Sequence, residues 1–365
     1  MIVESYSASH YRNLRDLALE PIPGVNVIFG ENGQGKTNII ESIWMFTGCH
    51  SFRTHKCQEL VEKTQKQAKL RLCFSAHGMT NDAALRIDQK REFTYNGVAK
   101  DSPRRILGEF QSVVFTPSTL RIVEDAPSAR RRFLDIAISM IKPAYSAHLL
   151  KYNKIMDNRN ALLRQIAGGL APETYLDPWD EELSREAAKL TQYRLHYVDD
   201  LARIAGEIHR EISGWKETLR LEYLQSSKSI SVDEYELAES IFMAMQKSRE
   251  TDLRRMATCV GPHKDDLSIQ IDDLSARVYG SRGQQRSSAL ALKLAEAYII
   301  KESSGEYPVI LLDDVMSELD SSRQTFLLEY LKSWQVFLTC CDLSHYSKIK
   351  NCKVFHIQNG TCAEA

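Results

Sequence analysis

The sequence has no long apolar run, little glycine or proline and almost no net charge. No stretch approaches the roughly 18 apolar residues that a membrane-spanning helix requires, and only 17 glycines and 10 prolines occur among 365 residues. This composition excludes a fibrous or wholly disordered chain. The amino terminus has an early acidic residue, Glu4, and no apolar stretch after a basic one, so it does not indicate a signal peptide. We expect a cytoplasmic protein with no membrane partner and about two domains.

The eight cysteines lack the paired CxxC spacing of many zinc sites, and we expect reduced structural thiols. One cluster, Cys49-His50 followed by His55-Lys56-Cys57, does contain four candidate zinc ligands. The adjacent pair Cys49-His50 makes poor geometry for tetrahedral zinc, so a structural role is favoured there.

Charge is balanced overall but segregated along the chain. The 47 Lys and Arg against 48 Asp and Glu neither indicate nor exclude a nucleic-acid partner. Residues 127–170 contain eight basic and two acidic side chains, and residues 53–71 contain six and two. Residues 171–211 and 301–342 are acidic in balance. We therefore predict a surface divided by charge, with its basic parts in the first half of the chain.

Strand patterns at both ends of the chain enclose a helical middle. Alternation over residues 69–98, with a turn at Asn96-Gly97, predicts a small antiparallel sheet. Helical spacing begins at Ser128 and continues to about residue 215, with a break near 168–172. Strand and helix patterns then alternate to the end. These patterns predict an α/β head built from residues 1–126 and 255–365, with residues 127–254 inserted as a helical arm.

A phosphate-binding motif follows a predicted buried strand, the nearly continuous apolar run Gly24–Phe29. The run from Gly30 to Thr37 matches G-x-x-x-x-G-K-[ST] and precedes a helical pattern, as the motif requires. Lys36 would reach the β- and γ-phosphates of ATP, and the Thr37 hydroxyl would bind Mg²⁺. The alternative is a chance glycine-rich turn. The predicted nucleotide-binding residues are Gly30, Glu31, Asn32, Gly33, Gln34, Gly35, Lys36, Thr37 and Asn38.

A second strand supplies the acidic residues that such a site needs. Val309–Leu312 is wholly apolar and ends in Asp313-Asp314. Asp313 is predicted to bind Mg²⁺ with Thr37. Asp314 is predicted to be catalytic by orienting or deprotonating the attacking water, and Lys36, which reaches the phosphates, is the other predicted catalytic residue. An ordinary solvated Asp pair at a strand end is the alternative.

A second candidate anion site precedes the helix predicted from Ser287. Its residues are Ser281, Arg282, Gly283, Gln284 and Gln285, at a helix start that favours an anion. This arrangement resembles the ABC-type ATPases. In that family the signature segment contacts the γ-phosphate of a nucleotide bound to the other subunit, which implies that these residues act in trans.

Seven segments carry a more specific resemblance. In order, they are Tyr11-Arg12-Asn13-Leu14, the phosphate loop through Asn38, Ser51-Phe52-Arg53-Thr54, Arg130-Arg131-Arg132-Phe133-Leu134-Asp135, Gly261-Pro262-His263-Lys264-Asp265-Asp266-Leu267, Gly283-Gln284-Gln285-Arg286, and Leu312-Asp313-Asp314-Val315-Met316-Ser317-Glu318-Leu319-Asp320. In this order and over nearly the whole chain, they are similar to the RecF family of bacterial recombination mediators. The resemblance implies an ATP-dependent homodimer with Mg²⁺, weak DNA-dependent ATPase activity, binding to junctions of single- and double-stranded DNA, and action with RecO and RecR in recombinational repair and the SOS response. Arg282 and Lys264 depart from the family's usual Gln and Arg.

Candidate DNA contacts lie in the basic block 127–170. Three consecutive arginines on a helix cannot share one face, so at least one is expected to form an internal ion pair. The following basic residues form a solvated face unless the arm lies beside a duplex. The candidates are Arg130, Arg131, Arg132, Lys151 and Lys154, with Arg159 and Arg164 on the same predicted helix.

Two other functions share some of these motifs. The nucleotide-binding subunit of a membrane transporter has the phosphate loop and the Asp313 strand, but 247 positions separate Lys36 from Gly283, more than such a subunit needs. A structural DNA-binding protein with an inactive ATP site would not require an intact Lys36, Thr37 and Asp313.

Overall fold

The computed structural model describes residues 1–229, 231–342 and 352–363. Their contacts divide the chain into two compact units, Met1–Arg121 with Ala289–Ala365, and Ile122–Ser288. Both chain ends therefore belong to one unit. The predicted boundaries, 126/127 and 254/255, differ from these, because the strand Asp266–Ile271 pairs with Leu219–Leu224 inside the second unit.

The described residues form the strands and α-helices that follow, numbered in chain order. The strands are β1 (Ile2–Tyr11), β2 (Leu14–Leu19), β3 (Val25–Phe29), β4 (Ala68–Ala76), β5 (Met79–Ile87), β6 (Arg91–Tyr95), β7 (Val98–Lys100), β8 (Ser112–Phe115), β9 (Leu219–Leu224), β10 (Asp266–Ile271), β11 (Leu274–Ser275), β12 (Val309–Leu312), β13 (Val336–Cys340), β14 (Cys352–Gln358) and β15 (Thr361–Ala363). The α-helices are α1 (Lys36–Trp44), α2 (Pro127–Ile141), α3 (Pro143–Ala167), α4 (Asp177–Ile212), α5 (Glu234–Arg255), α6 (Ala276–Tyr279), α7 (Arg282–Ser304) and α8 (Ser321–Tyr330).

A largely parallel sheet in the first unit determines where the candidate site lies. Its order is β15-β14-β3-β13-β12-β8, and only the β14–β15 pair is antiparallel. β12 and β13 are buried along their whole length, which explains why all of their residues except Thr339 are apolar. Because the parallel strands run the same way, the segments that follow β3, β12 and β13 meet at one edge. The sheet takes strands from both chain ends, and the predicted α/β class is confirmed.

The second sheet of this unit is antiparallel, with the order β2-β1-β4-β5-β6-β7. The sheet predicted over residues 69–98 corresponds to β4–β7, and the β1–β2 hairpin extends it. Tyr95 pairs with Val98 across the turn. Asn96 and Gly97 have φ values of 47° and 76°, the left-handed backbone of a two-residue hairpin turn.

The second unit is mainly helical. α4 packs against α3, α5 and β9. The predicted break lies between α3 and α4, and a further one occurs before Pro143, which can begin a helix but not continue one. α5 was not predicted, because only Leu237, Ile241, Met245 and Asp252 of it are buried and its apolar stripe is narrow. None of the helices in the described ranges has the length and apolar character needed to cross a membrane.

Candidate nucleotide-binding site

The glycine-rich loop connects β3 to α1 in a conformation that requires glycine. Gly33 and Gly35 have φ values of 85° and 112°, in the left-handed region that other residues rarely adopt. A Cβ on Gly35 would lie 2.8 Å from Oδ1 of Asn13 and 2.9 Å from Cδ2 of Leu14. The chain therefore enters α1 at Lys36 directly, and the free N–H groups of this helix start favour an anion.

The side chain of Lys36 is folded over the loop. Its Nζ donates to the carbonyl oxygens of Gly30, at 2.6 Å, and Glu31, at 2.9 Å, and lies 3.2 Å from Sγ of Cys341. These partners are neutral or weakly polar. A phosphate oxygen would make a stronger, charge-assisted hydrogen bond with the same ammonium group. The position of Lys36 thus fits its predicted role.

Two of the predicted loop residues use their side chains within the protein. Oε1 of Gln34 accepts a hydrogen bond from the backbone N–H of Asn359 at 2.6 Å. Nδ2 of Asn38 donates to Oδ1 of Asn13 at 2.6 Å. These two hydrogen bonds connect the loop to Asn359 and the first turn of α1 to Asn13. The exposed tip of the loop consists of Glu31, Asn32 and Gly33.

The two predicted Mg²⁺ ligands meet at the sheet edge. Oγ1 of Thr37 donates to Oδ1 of Asp313 at 2.9 Å. Asp313 is only 6% exposed, and this burial raises the pKa of its carboxyl. A buried carboxylate and a hydroxyl are hard oxygen donors, the type that Mg²⁺ prefers. The residues present therefore fit the predicted metal.

Asp314 occupies a different environment from its neighbour. It is exposed, and its φ of 53° lies in the left-handed region. Its backbone N–H donates to Oγ1 of Thr339 at 2.8 Å, and its carbonyl oxygen accepts from Oγ of Ser317 at 2.8 Å. The buried carboxylate of Asp313 and the exposed one of Asp314 suit two different tasks.

The signature segment begins α7 with a reciprocal cap. Oγ of Ser281 accepts the N–H of Gln284 at 3.2 Å, and Oε1 of Gln284 accepts the N–H of Ser281 at 2.8 Å, which is the capping-box arrangement. Nε2 of Gln284 also donates to Oε1 of Glu217 at 2.9 Å, and Glu217 pairs with the buried His209. The cap fixes Ser281 at the first turn of the helix.

The other signature residues differ from Ser281 and Gln284 in burial and in their hydrogen-bond partners. Gln285 is 7% exposed, and its Nε2 donates to the carbonyl oxygens of Ala276, at 3.0 Å, and Arg277, at 3.3 Å. Its side chain supports the turn before α7 and is not available to a phosphate in this structure. Arg282 is exposed and Gly283 is half-buried.

Two of the basic candidates are buried in ion pairs. Arg130 is 4% exposed, and its Nε and Nη2 donate to the two carboxylate oxygens of Asp266, each at 2.8 Å. Arg159 is fully buried between Asp180, at 2.6 Å, and Asp252, at 2.8 Å. Buried arginines of this kind hold the unit together, and their guanidinium groups are not accessible to DNA in this structure.

The remaining candidates reach the surface to different extents. Arg131 is half-buried and donates to the backbone oxygen of Asp265 at 2.8 Å. Lys151 is paired with Glu182 and Glu186 of α4, at 3.3 and 3.1 Å. Those carboxylates offset its charge. The exposed side chains are those of Arg132, Lys151, Lys154 and Arg164.

A network beside the loop was not anticipated from the sequence. Arg12 donates to both carboxylate oxygens of Glu41 on α1, at 2.5 and 2.8 Å. Ser51 donates to the same carboxylate at 2.5 Å, and Arg53 lies 3.7 Å from it. Glu41 is fully buried. Two of the seven matching sequence segments, residues 11–14 and 51–54, thus meet at the carboxylate of Glu41. In the sequence, Glu41 looks like an ordinary helix residue, and nothing around it indicates these contacts.

The side chains of Cys49, His50, His55 and Cys57 do not converge as a set of metal ligands in the described residues. The His50 and His55 rings contact each other edge to face at 5.2 Å. Throughout the part of the chain that the structure describes, no three or more His, Cys, Asp and Glu side chains converge as metal ligands would.

Comparisons with known proteins agree with this geometry. The family model described as "RecF/RecN/SMC N terminal domain" matches residues 2–363. Proteins named "DNA replication and repair protein RecF" from Clostridium perfringens (strain SM101 / Type A) and Clostridium tetani are 36% and 35% identical, over 99% and 100% of both chains.

Solved structures extend the comparison. One titled "Structure of the recombination mediator protein RecF-ATP in RecFOR pathway" has a TM-score of 0.92 and 36% identity, covering all of this chain and 97% of that one. A Smc head domain from Pyrococcus furiosus, at 14% identity and a TM-score of 0.55, shares the fold alone. Given these full-length matches and the meeting of the phosphate loop with Asp313, the chain belongs to the RecF family of ABC-type ATPases, whose named members are DNA replication and repair proteins.

Proposed function

We propose that the protein is an ATP-dependent DNA-binding ATPase of recombinational repair. It dimerises around two ATP molecules, clamps DNA near single-strand gaps, and helps to load recombinase with RecO and RecR. The solved relatives named as recombination mediators of the RecFOR pathway support this role. The observation that carries the proposal is the meeting of Lys36, Thr37 and Asp313 at one edge of the parallel sheet.

The side chains assigned to nucleotide binding already lie together at the phosphate loop and the sheet edge. Lys36 leaves the carbonyl oxygens of Gly30 and Glu31 and binds the β- and γ-phosphates. Thr37 and Asp313 would hold Mg²⁺, which would neutralise phosphate charge when bound. The backbone N–H groups at the start of α1 complete the anion site.

Hydrolysis depends on Asp314. Its exposed carboxylate stands next to the metal-binding residue and can accept a hydrogen bond from the attacking water. An aspartate has a shorter reach than the glutamate that stands in this position in most ABC-type ATPases. Slow turnover, which releases the DNA clamp, is the expected consequence.

Dimerisation supplies the second half of each site. The capping box fixes Ser281 at the start of α7, and its Oγ accepts a hydrogen bond there, so its proton remains to be donated outwards. In a dimer this hydroxyl and the helix start face the γ-phosphate held by the partner. Gln284 acts with Ser281, because each holds the other's backbone.

DNA binding is assigned to the exposed basic side chains of the second unit, Arg132, Lys151 and Lys154, with Arg131 partly available. Each exposed Lys or Arg that meets a phosphate releases a counterion and strengthens binding at low salt. Closure of the dimer would bring two copies of this surface to one DNA molecule.

The alternative functions are less well supported. Family membership argues against a transporter subunit, because the named full-length relatives are repair proteins. The intact hydrogen bond between Thr37 and Asp313 argues against an inactive ATP site.

Equilibrium ATP binding and steady-state hydrolysis, each with and without DNA, test the proposal. The wild type should bind ATP with Mg²⁺ and hydrolyse it slowly, faster with DNA. Lys36→Ala should lose binding, and the matched control Lys247→Ala, at an exposed position of α5 in the second unit, should not. A wild type that binds no ATP would refute the proposal, and one that binds but never hydrolyses ATP would support the inactive-site alternative.

A further inference from the structure

Thr339, near the end of β13, lies between the two strands that carry the candidate site. In the sheet register Thr339 pairs with Ile28 of β3, and its neighbour Leu338 pairs with Leu312 of β12. The residue that follows Leu312 is Asp313. The register alone therefore places Thr339 beside the metal-binding carboxylate, one strand away from the phosphate loop.

The hydroxyl of Thr339 contacts both acidic residues. Oγ1 donates to Oδ1 of Asp313 at 3.2 Å and accepts the backbone N–H of Asp314 at 2.8 Å. Thr339 is only 3% exposed. One buried hydroxyl thus uses its donor on the side chain of Asp313 and its acceptor on the backbone of Asp314.

This contact coincides with an unusual backbone conformation. Asp314 has a φ of 53°, which a residue other than glycine adopts only where its surroundings hold it. The bond from its N–H to Thr339 and the bond from Ser317 to its carbonyl oxygen hold the two ends of this residue. The conformation sends the carboxylate of Asp314 to the surface while that of Asp313 stays buried.

We propose that Thr339 is a positioning residue for ATP hydrolysis, whose hydroxyl sets the Asp313–Asp314 turn so that one carboxylate faces the metal and the other faces the water. The inference rests on the proposed function, since it assigns Thr339 to that same site. Thr339 touches neither nucleotide nor water in this role and acts only through the two aspartates.

Two variants of Thr339 separate the effect of its hydroxyl from the effect of its side-chain shape. Thr339→Val keeps the β-branched volume and the rotamer preference in the strand. It leaves the N–H of Asp314 without this partner and leaves the carboxylate of Asp313 with its bond from Thr37 but without the bond from Thr339. Thr339→Ser keeps the hydroxyl and loses a methyl group. The matched control is Thr325→Val on the exposed face of α8, where a threonine hydroxyl bonds only to its own helix.

We expect Thr339→Val to lower the kcat for ATP by about tenfold or more, the loss typical of a hydrogen bond to a charged group. The Kd for ATP should change by less than about threefold, because Lys36 and the loop are untouched, and the Mg²⁺ concentration for half-maximal turnover should rise. Thr339→Ser should retain most of the wild-type kcat, and Thr325→Val all of it.

The outcomes distinguish this inference from the function on which it rests. Thermal unfolding of each variant shows whether the fold is kept, and if Thr339→Val does not fold, the comparison of Thr339→Ala with Thr339→Ser decides in the same way. Equal kcat values for the variants without and with the hydroxyl would overturn the positioning role alone. A wild type that binds ATP but does not hydrolyse it would overturn both the inference and the proposed ATPase.

Discussion

The hydroxyl of Thr37 donates a hydrogen bond to Oδ1 of Asp313 at 2.9 Å, although 276 residues separate them in the sequence. The bond forms because β3 and β12 run parallel in one sheet, with β13 between them. It joins the two residues that the proposed mechanism assigns to Mg²⁺, and it makes the metal dependence of the protein testable.

Asp313→Asn should weaken ATP binding in the presence of Mg²⁺ by about tenfold or more, because an amide replaces the buried anionic ligand of the metal. Binding measured in excess chelator should change little. Titration calorimetry at several Mg²⁺ concentrations checks this, with Asp199→Asn, exposed on α4, as the control. Equal losses with and without Mg²⁺ would show that Asp313 acts on something other than the metal.

Asp314→Asn should slow hydrolysis by about a hundredfold, since only the group that acts on the attacking water is altered. The affinity for ATP should be retained, because Thr37, Asp313 and Lys36 are intact. Single-turnover and binding measurements on the same preparation separate the two effects. If turnover persists at the wild-type rate, Asp314 is not the catalytic carboxylate.

ATP should protect Cys341 from thiol-directed reagents. Its Sγ is exposed, lies 3.2 Å from Nζ of Lys36 and donates to Oδ1 of Asn32 at 3.1 Å, so phosphates bound in the loop would cover it. Maleimide labelling followed by peptide mass spectrometry should show slower modification of Cys341 with Mg²⁺ and ATP. The rate at Cys57, in the same protein sample, serves as the internal control. Unchanged labelling of Cys341 would place the phosphates elsewhere.

The salt dependence of DNA binding locates the DNA surface. Replacing both Lys151 and Lys154 by Ala should reduce the slope of log K against log salt by about one for each DNA phosphate that is no longer neutralised. Lys154 should account for more of the change, because Lys151 is already paired with two carboxylates.

The alternative DNA surface is the basic segment 53–71 of the first unit. Lys66 and Lys69 are exposed there, and their double alanine variant is the comparison. A reduced slope for this variant, with an unchanged slope for the Lys151 and Lys154 variant, would move the DNA site to the ATPase head.

The sequence was sufficient to predict the features that depend on residues close together in the chain. Gly33, Gly35 and Lys36 form a local motif whose strand and helix context is also local, so the loop and its role could be predicted. The apolar run Val309–Leu312 and the aspartate after it could be interpreted in the same way. That the phosphate loop and this aspartate meet was inferred from the parallel sheets in which such motifs occur.

The features that could not be predicted depend on contacts between segments that lie far apart in the sequence. Nothing in the sequence around Arg130 distinguishes it from Arg132, yet Arg130 is buried and pairs with Asp266 while Arg132 is exposed. Gln285 and Gln284 are adjacent and identical, but the helix start turns one inward. Thr339 is one residue of a buried strand, and only the sheet register shows that it contacts Asp313.

Sedimentation of the full-length protein with and without ATP tests the central claim most directly, because a signature segment is useful only against the phosphate loop of a second copy. The wild type should shift to a dimer with Mg²⁺ and ATP. Ser281→Arg, which fills the phosphate-facing start of α7, should bind ATP with nearly unchanged affinity and remain a monomer. An ATP-dependent dimer of equal strength in Ser281→Arg and the wild type would contradict the account.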